Sequence, residues 1–190
     1  MDKTAIKNFS IWARNTLMND VRASLAMIGI TEKGISNPLP ASTREIQYFD
    51  IGSTQPSSIV GYDIISRNAI LTRLKQEKDY SVAFKNLIES TASSWFNRLI
   101  ALRYMEVNDH FDDGLRVLSS STGLKDPDLL STPFDSDIDF SEREKNKVRE
   151  LMNGNQMDEL FRYLLFKRCN QLYKVLRGAS LKEVVTHLSS

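Results

Sequence analysis

The sequence predicts a mainly α-helical fold, a multi-helix domain around one long central helix at about residues 81–108. Three observations lead to this class. Residues 81–108 run without Pro or Gly. Apolar residues recur at three- and four-residue steps in several other segments, which is the helical period. Alternation typical of strands occurs only in a small β-hairpin excursion at about residues 45–60.

The central helix is predicted from Ser81 to Asn108, with Asp79 or Ser81 as its cap. At about 100° per residue, its apolar positions fall on one face: Phe84, Leu87, Ile88, Thr91, Trp95, Leu99, Leu102 and Met105. Its second half carries more apolar side chains: Phe96, Ile100, Tyr104 and Val107. A helix that is apolar nearly all round is typical of a buried central position.

Two charged residues, Arg98 and Glu106, fall inside this apolar arc. They are separated by roughly 12 Å of helix rise, which disfavours a direct pair. Arg103 lies three residues before Glu106, so these two are the expected local pair. Arg98, Arg103 and Glu106 are therefore candidates for a structural ion pair in a core or for a contact with a partner.

The other helices follow from spacing and capping residues. A helix over residues 4–28 is expected to pack its apolar stripe on the core and to end at Gly29. This core-packing role is favoured over a helix that lies on a membrane surface. Residues 29–61 read as a loop containing strands at 45–51 and 58–60. A helix over 63–78, capped by Asp63, is expected to form a helical hairpin with the central helix.

The second half of the chain begins irregularly at residues 110–140. Its acidic cluster of Asp135, Asp137 and Asp139 lacks the spacing of an EF-hand, so capping and turn formation are expected rather than metal binding. Helices follow at residues 141–153, with the capping box Ser141-x-x-Glu144, at 155–176, capped by Asn155, and at 180–188.

Composition excludes several classes of function. The length of 190 residues fits one domain, and the net charge of +1 gives no global attraction to DNA or anionic lipid. A single cysteine, Cys169, excludes an internal disulfide and is expected to be a buried small hydrophobe. Neither a membrane span nor a signal peptide is recognisable, so a cytoplasmic location is expected.

Local basic clusters are the candidate DNA contacts. One lies on the late helix (Lys167, Arg168, Lys174 and Arg177), and one lies on the helix before the central one (Arg73, Lys75 and Lys78). Cations near a helix C-terminus also stabilise the helix by themselves, which is the alternative role for the first cluster. The functional interpretation is that these basic side chains contact DNA phosphates.

Several stretches together resemble one family. These are Ala5-IKNFSIWARNTL, Gly29-ITEKGI, Phe49-DIG, Trp95-FNRLIALRYMEVND, Arg116-VLSSSTG, Pro127-DLLSTPFDSD and Asp158-ELFRYLLFKRCNQLYKVL. Their order is similar to the N-terminal region of the adenine-specific DNA methyltransferases of BREX and phage-growth-limitation systems, the PglX family. The resemblance implies a helical N-terminal accessory domain over residues 1–176. It ends near Arg177, so residues 177–190 are expected to be a short helix or a truncated tail.

The resemblance implies transfer of a methyl group from S-adenosylmethionine to a flipped-out adenine by the parent enzyme. The Asn/Asp-Pro-Pro-aromatic motif and the glycine loop for the cofactor are missing here, because the nearest match, Asn37-Pro-Leu-Pro40, lacks the second adjacent proline. No motif of other enzyme classes is present either. We therefore expect no catalytic, cofactor-binding or metal-binding residue in this chain. Two functions remain open: an accessory domain that docks on the catalytic methyltransferase domain and helps to hold double-stranded DNA, or a protein-interaction module without DNA affinity.

Overall fold

The computed structural model describes residues 2–178, with side chains through residue 172. The chain divides into two units, residues 1–97 and 98–190. The mainly α class is confirmed. Helix α3, Tyr80–Val107, is the long predicted helix, and the Asp79 carboxylate caps it by accepting hydrogen bonds from the N–H groups of Ser81 and Val82 at 2.8 and 3.3 Å.

The first unit contains helix α1 (Lys3–Met27), two small antiparallel strand pairs, helix α2 (Tyr62–Leu74) and the start of α3. Strands β1 (Ile30–Thr31) and β2 (Gly34–Ile35) form one pair, which the sequence did not predict. Strands β3 (Ile46–Phe49) and β4 (Ser57–Val60) form the predicted hairpin, with Ile46 opposite Val60. Gly61 rather than Asp63 occupies the N-cap position of α2, so that predicted cap is wrong.

The core of the first unit lies between α1, α2 and α3. Seven side chains form its main cluster: Leu25, Ile30, Leu74, Ala83, Phe84, Leu87 and Ile88. Gly29 ends α1 with a φ of +72°, a backbone conformation that favours glycine. Phe49 packs in a second small cluster with Ile59 and Ile64.

The apolar stripe predicted for α1 reaches the core only at its C-terminal end. Leu25 is buried, whereas Ile6 and Phe9 are exposed. A four-residue step advances about 40° beyond a full helical turn, so the stripe rotates by about 160° between Phe9 and Leu25. The prediction that the whole stripe packs on the core is therefore wrong for the first half of α1.

The second unit contains the last ten residues of α3, a short helix α4 (Asp128–Ser131), helix α5 (Glu142–Asn153) and helix α6 (Met157–Gly178). The predicted capping box is present: the Ser141 N–H donates to the Glu144 carboxylate at 2.9 Å. Helix α6 begins two residues after Asn155, which instead adopts a φ of +51°. The helix predicted at residues 180–188 lies outside the described residues.

Candidate functional site

Glu106 is the buried charge that organises the segment following α3. Its residue exposure is 2%. One carboxylate oxygen accepts the backbone N–H groups of Val117 and Leu118 at 3.2 and 2.8 Å. The other accepts the Ser119 hydroxyl and pairs with Arg103 at 2.6 Å. The structure thus shows the predicted local pair, and the backbone donors identify Glu106 as a structural residue that fixes residues 117–119.

Arg168 forms the second buried ionic cluster, on α6. Only 1% of this residue is exposed, and its guanidinium pairs with the carboxylates of Asp113 and Asp137. The ring of Phe111 lies 4.7 Å from the guanidinium carbon. The buried Nε has no hydrogen-bond partner among the described residues. The cluster ties two loop segments to α6.

The expectation that Arg168 contacts DNA is therefore wrong for this conformation, because a buried and doubly paired guanidinium does not reach a phosphate. Burial acts to raise the pKa of Asp113, but hydrogen bonds from backbone N–H groups and from Arg168 outweigh it, and the pKa is lowered. Asp137, one of the three acids of the cluster at residues 135–139, serves this ion pair.

Lys167, the neighbouring candidate, also has intramolecular partners. Its ammonium group lies 2.7 Å from the Glu144 carboxylate and 3.1 Å from the Asp139 carbonyl oxygen. The hydrogen bond from Lys167, followed by that from the Ser141 N–H, lowers the pKa of Glu144 to about 2. Burial raises the pKa of Tyr163 to about 12, with a further contribution from Glu144. These contacts join α5 to α6.

The remaining cationic candidates differ in what the structure shows. Arg73, Lys75 and Lys78 are exposed in the first unit, and Arg73 donates to the Ser90 hydroxyl at 3.1 Å. The backbones of Lys174 and Arg177 belong to α6, but their side chains lie outside the described residues. Arg73, Lys75 and Lys78 are thus the candidates whose side chains the structure places in solvent.

Arg67 is a buried cation that the sequence analysis did not identify. Its Nε and Nη2 atoms donate to the carbonyl oxygens of Ile28 and Ser36, both at 2.8 Å, and its guanidinium carbon lies 4.5 Å from the centre of the Phe49 ring. Burial lowers the pKa of Arg67. Because these acceptors are 31 and 39 residues away in sequence, no local spacing could reveal them.

An exposed apolar surface runs along the second half of α3. Ile100, Tyr104 and Val107 are 47%, 42% and 60% exposed, and their four- and three-residue steps place them on one side of the helix. We call these three residues the α3 exposed face. Phe96 is half-buried. The prediction that α3 is buried all round is wrong at this face.

Residues 2–178 contain no group of three or more His, Cys, Asp or Glu side chains placed to hold a metal ion. Cys169 is buried as predicted, and burial raises the pKa of its thiol, while the charge of Arg98 acts in the opposite direction. Within the same residues, none of the helices combines the length and apolarity that a membrane span requires.

These features define a helical module with buried structural charges and exposed apolar helix faces. Comparison with known proteins shows that the chain is similar to part of two adenine-specific methyltransferases, which confirms the predicted resemblance to the PglX family. The chain is 38% identical over 181 residues to the adenine-specific methyltransferase PglX of Lacticaseibacillus casei (strain Zhang), an alignment that covers 90% of this chain and 15% of the relative. It is 29% identical to the adenine-specific methyltransferase BrxX of Escherichia coli O9:H4 (strain HS), covering 93% of this chain and 14% of the relative.

The chain therefore spans about one-seventh of the length of these relatives. No family model matches it.

Proposed function

We propose that this chain is a non-catalytic, N-terminal helical domain of an adenine-specific DNA methyltransferase of a phage-defence system, and that it docks on the catalytic part of that enzyme. The observation that carries the proposal is the α3 exposed face, in a chain that is similar to methyltransferases over 90% of its own length. A row of Ile, Tyr and Val side chains on a helix is suited to an apolar partner surface.

The intramolecular pairing of the buried charges supports a docking role over a catalytic role. Glu106 and Arg168 are each held by several intramolecular partners. A rigid surface loses little conformational entropy when it binds, which favours a fixed docking geometry. S-adenosylmethionine and adenine would then be bound by the rest of the parent enzyme.

A chimera tests the docking role. The matching region of L. casei PglX is replaced by this chain, and adenine methylation of host DNA is measured. Replacing Ile100 by Asp places a charge in the apolar contact, so methylation is expected to fall at least tenfold. Leu124→Asp is the matched control, since Leu124 is also exposed in the second unit but lies outside the α3 exposed face. Equal activity of the two variants would exclude this face as the docking surface.

Holding of double-stranded DNA is the second candidate function, and the exposed cations Arg73, Lys75 and Lys78 favour it. Fluorescence anisotropy of a labelled duplex, titrated with the chain at low and moderate salt, tests it. If these side chains contact phosphates, replacing all three by Ala will weaken binding equally for all sequences and flatten its salt dependence. Absence of binding even at low salt would leave protein docking as the function.

A further inference from the structure

Helix α1 has one side that carries no charge along its whole length. Six of its residues follow alternating three- and four-residue steps, the spacing of a helix-packing seam. At about 100° per residue they lie within an arc of about 100°, and no charged residue of α1 falls in that arc. We call these six residues the α1 seam: Phe9, Trp12, Thr16, Asn19, Ala23 and Ala26.

Four of the six α1 seam residues are exposed to solvent, and the other two, Thr16 and Ala26, are half-buried. Phe9 and Trp12 are 51% and 62% exposed, with their ring centroids 6.0 Å apart. The core contacts of α1 come from its other side, where Leu25 is buried and Met18 and Val21 pack against the core. The seam is therefore separate from the surface that holds α1 to its own unit.

Residue size along the seam follows a simple order. The two aromatic residues lie toward the N-terminal end, the two polar residues lie in the middle, and the two alanines lie toward the C-terminal end. If two such helices pack antiparallel, a two-fold axis between Thr16 and Asn19 brings a large residue of one helix opposite a small residue of the other.

We propose that the α1 seam is a self-association surface, and that its occupant is the α1 seam of a second copy of this chain in antiparallel orientation. In this register, each layer pairs one residue from each chain, and the two residue numbers sum to 35. Such pairing of successive seam positions is usual for an antiparallel coiled coil. The layers are Phe9 with the partner's Ala26, Trp12 with the partner's Ala23, and Thr16 with the partner's Asn19.

The flanking residues are compatible with this register. Exposed Ile6 and the partner's Met27 lie about 3 Å apart along the axis beside the end layer and extend the apolar contact, and no two like charges are opposed. A polar Thr–Asn layer at the centre favours one register over shifted ones. Parallel packing would instead place aromatic residues against each other at one end and leave a gap between alanines at the other. Size complementarity therefore selects the antiparallel pair.

Sedimentation equilibrium of the full chain tests self-association. Because one helix pair buries less than the roughly 1,200 Å² of a standard interface, we expect a dissociation constant between roughly 10 µM and 1 mM. The apparent mass should rise from 21.7 kDa toward twice that value with concentration. Trp12→Glu should abolish the rise. Ile11→Glu is the matched control, since Ile11 is 52% exposed and lies outside the α1 seam, about 100° around the helix from Trp12.

Cross-linking tests the orientation, using a short bis-maleimide reagent in a Cys169→Ser background. In the antiparallel register, a cysteine at position 16 lies about 4.5 Å along the axis from its equivalent, and one at position 23 lies about 16 Å away. Thr16→Cys should therefore cross-link and Ala23→Cys should not. Cross-linking of both would indicate a parallel pair and overturn the proposed register.

A chain that stays monomeric at millimolar concentration would overturn the self-association itself. Loss of methylation by the PglX chimera on Trp12→Glu, with such a monomeric chain, would instead assign the seam to the remaining methyltransferase polypeptide. These results do not depend on Ile100 or the α3 exposed face, so this proposal and the proposed function can fail separately.

Discussion

Truncation of Glu106 should be among the most damaging single changes in the second unit. Glu106→Ala leaves three donors without their acceptor: the backbone N–H groups of Val117 and Leu118, and the hydroxyl of Ser119. Each unsatisfied buried donor costs about 1–3 kcal/mol. Since some of these donors can reach water after truncation, we expect a loss of about 3–5 kcal/mol in the free energy of unfolding.

Arg103→Ala is the matched control for this prediction. The Arg103 side chain is 53% exposed, so its ion pair with Glu106 is worth only about 0–1 kcal/mol. Urea unfolding followed by circular dichroism measures both variants, and hydrogen exchange reports whether the N–H groups of Val117 and Leu118 lose protection. The reasoning is refuted if Glu106→Ala costs no more than Arg103→Ala, or if both amides stay protected.

Three further changes test other parts of the structure. Because the pKa of Glu144 is lowered to about 2 from 4.5, its contribution to stability is present above pH 4.5 and is lost as the pH falls toward 2; Glu144→Gln should flatten this acid dependence in urea unfolding. Arg168→Met leaves two carboxylates without their cation and should cost about 3–5 kcal/mol at pH 7, with partial recovery at pH 3. Gly29→Ala should destabilise the folded protein by more than about 1 kcal/mol, because the φ of Gly29 is +72° and the new Cβ would lie 2.7 Å from a Phe49 ring carbon. A melting temperature unchanged from wild type would contradict this prediction.

Local signals in the sequence predicted much of the fold. Helix α3 lies within one residue of its predicted bounds at each end, because Asp79 caps it and no Pro or Gly interrupts it. The Ser141–Glu144 capping box and the pair between Arg103 and Glu106 were predictable because each joins residues three apart. The pair of two-residue strands at residues 30–35 was missed, since two residues are too few to show a period.

Features that depend on the tertiary structure could not be predicted. Arg168 is paired with carboxylates 31 and 55 residues away in sequence, so its basic surroundings on α6 suggested a surface role that its burial excludes. The four-residue steps of the α1 stripe are helical and predict a core-packing face, although their rotation carries Phe9 away from the core. The exposed half of α3 was likewise indistinguishable from a buried one, because apolar composition does not show which partner is present.

The central claim, docking on a methyltransferase, is tested most directly by a binding measurement. The chain is titrated into L. casei PglX that lacks its matching region, by isothermal calorimetry, after binding of S-adenosylmethionine has shown that this polypeptide is folded. We expect association at micromolar concentration or tighter, weakened at least tenfold by Ile100→Asp and unchanged by Leu124→Asp. Absence of association with the folded polypeptide, or equal association of the two variants, would contradict docking through the α3 exposed face.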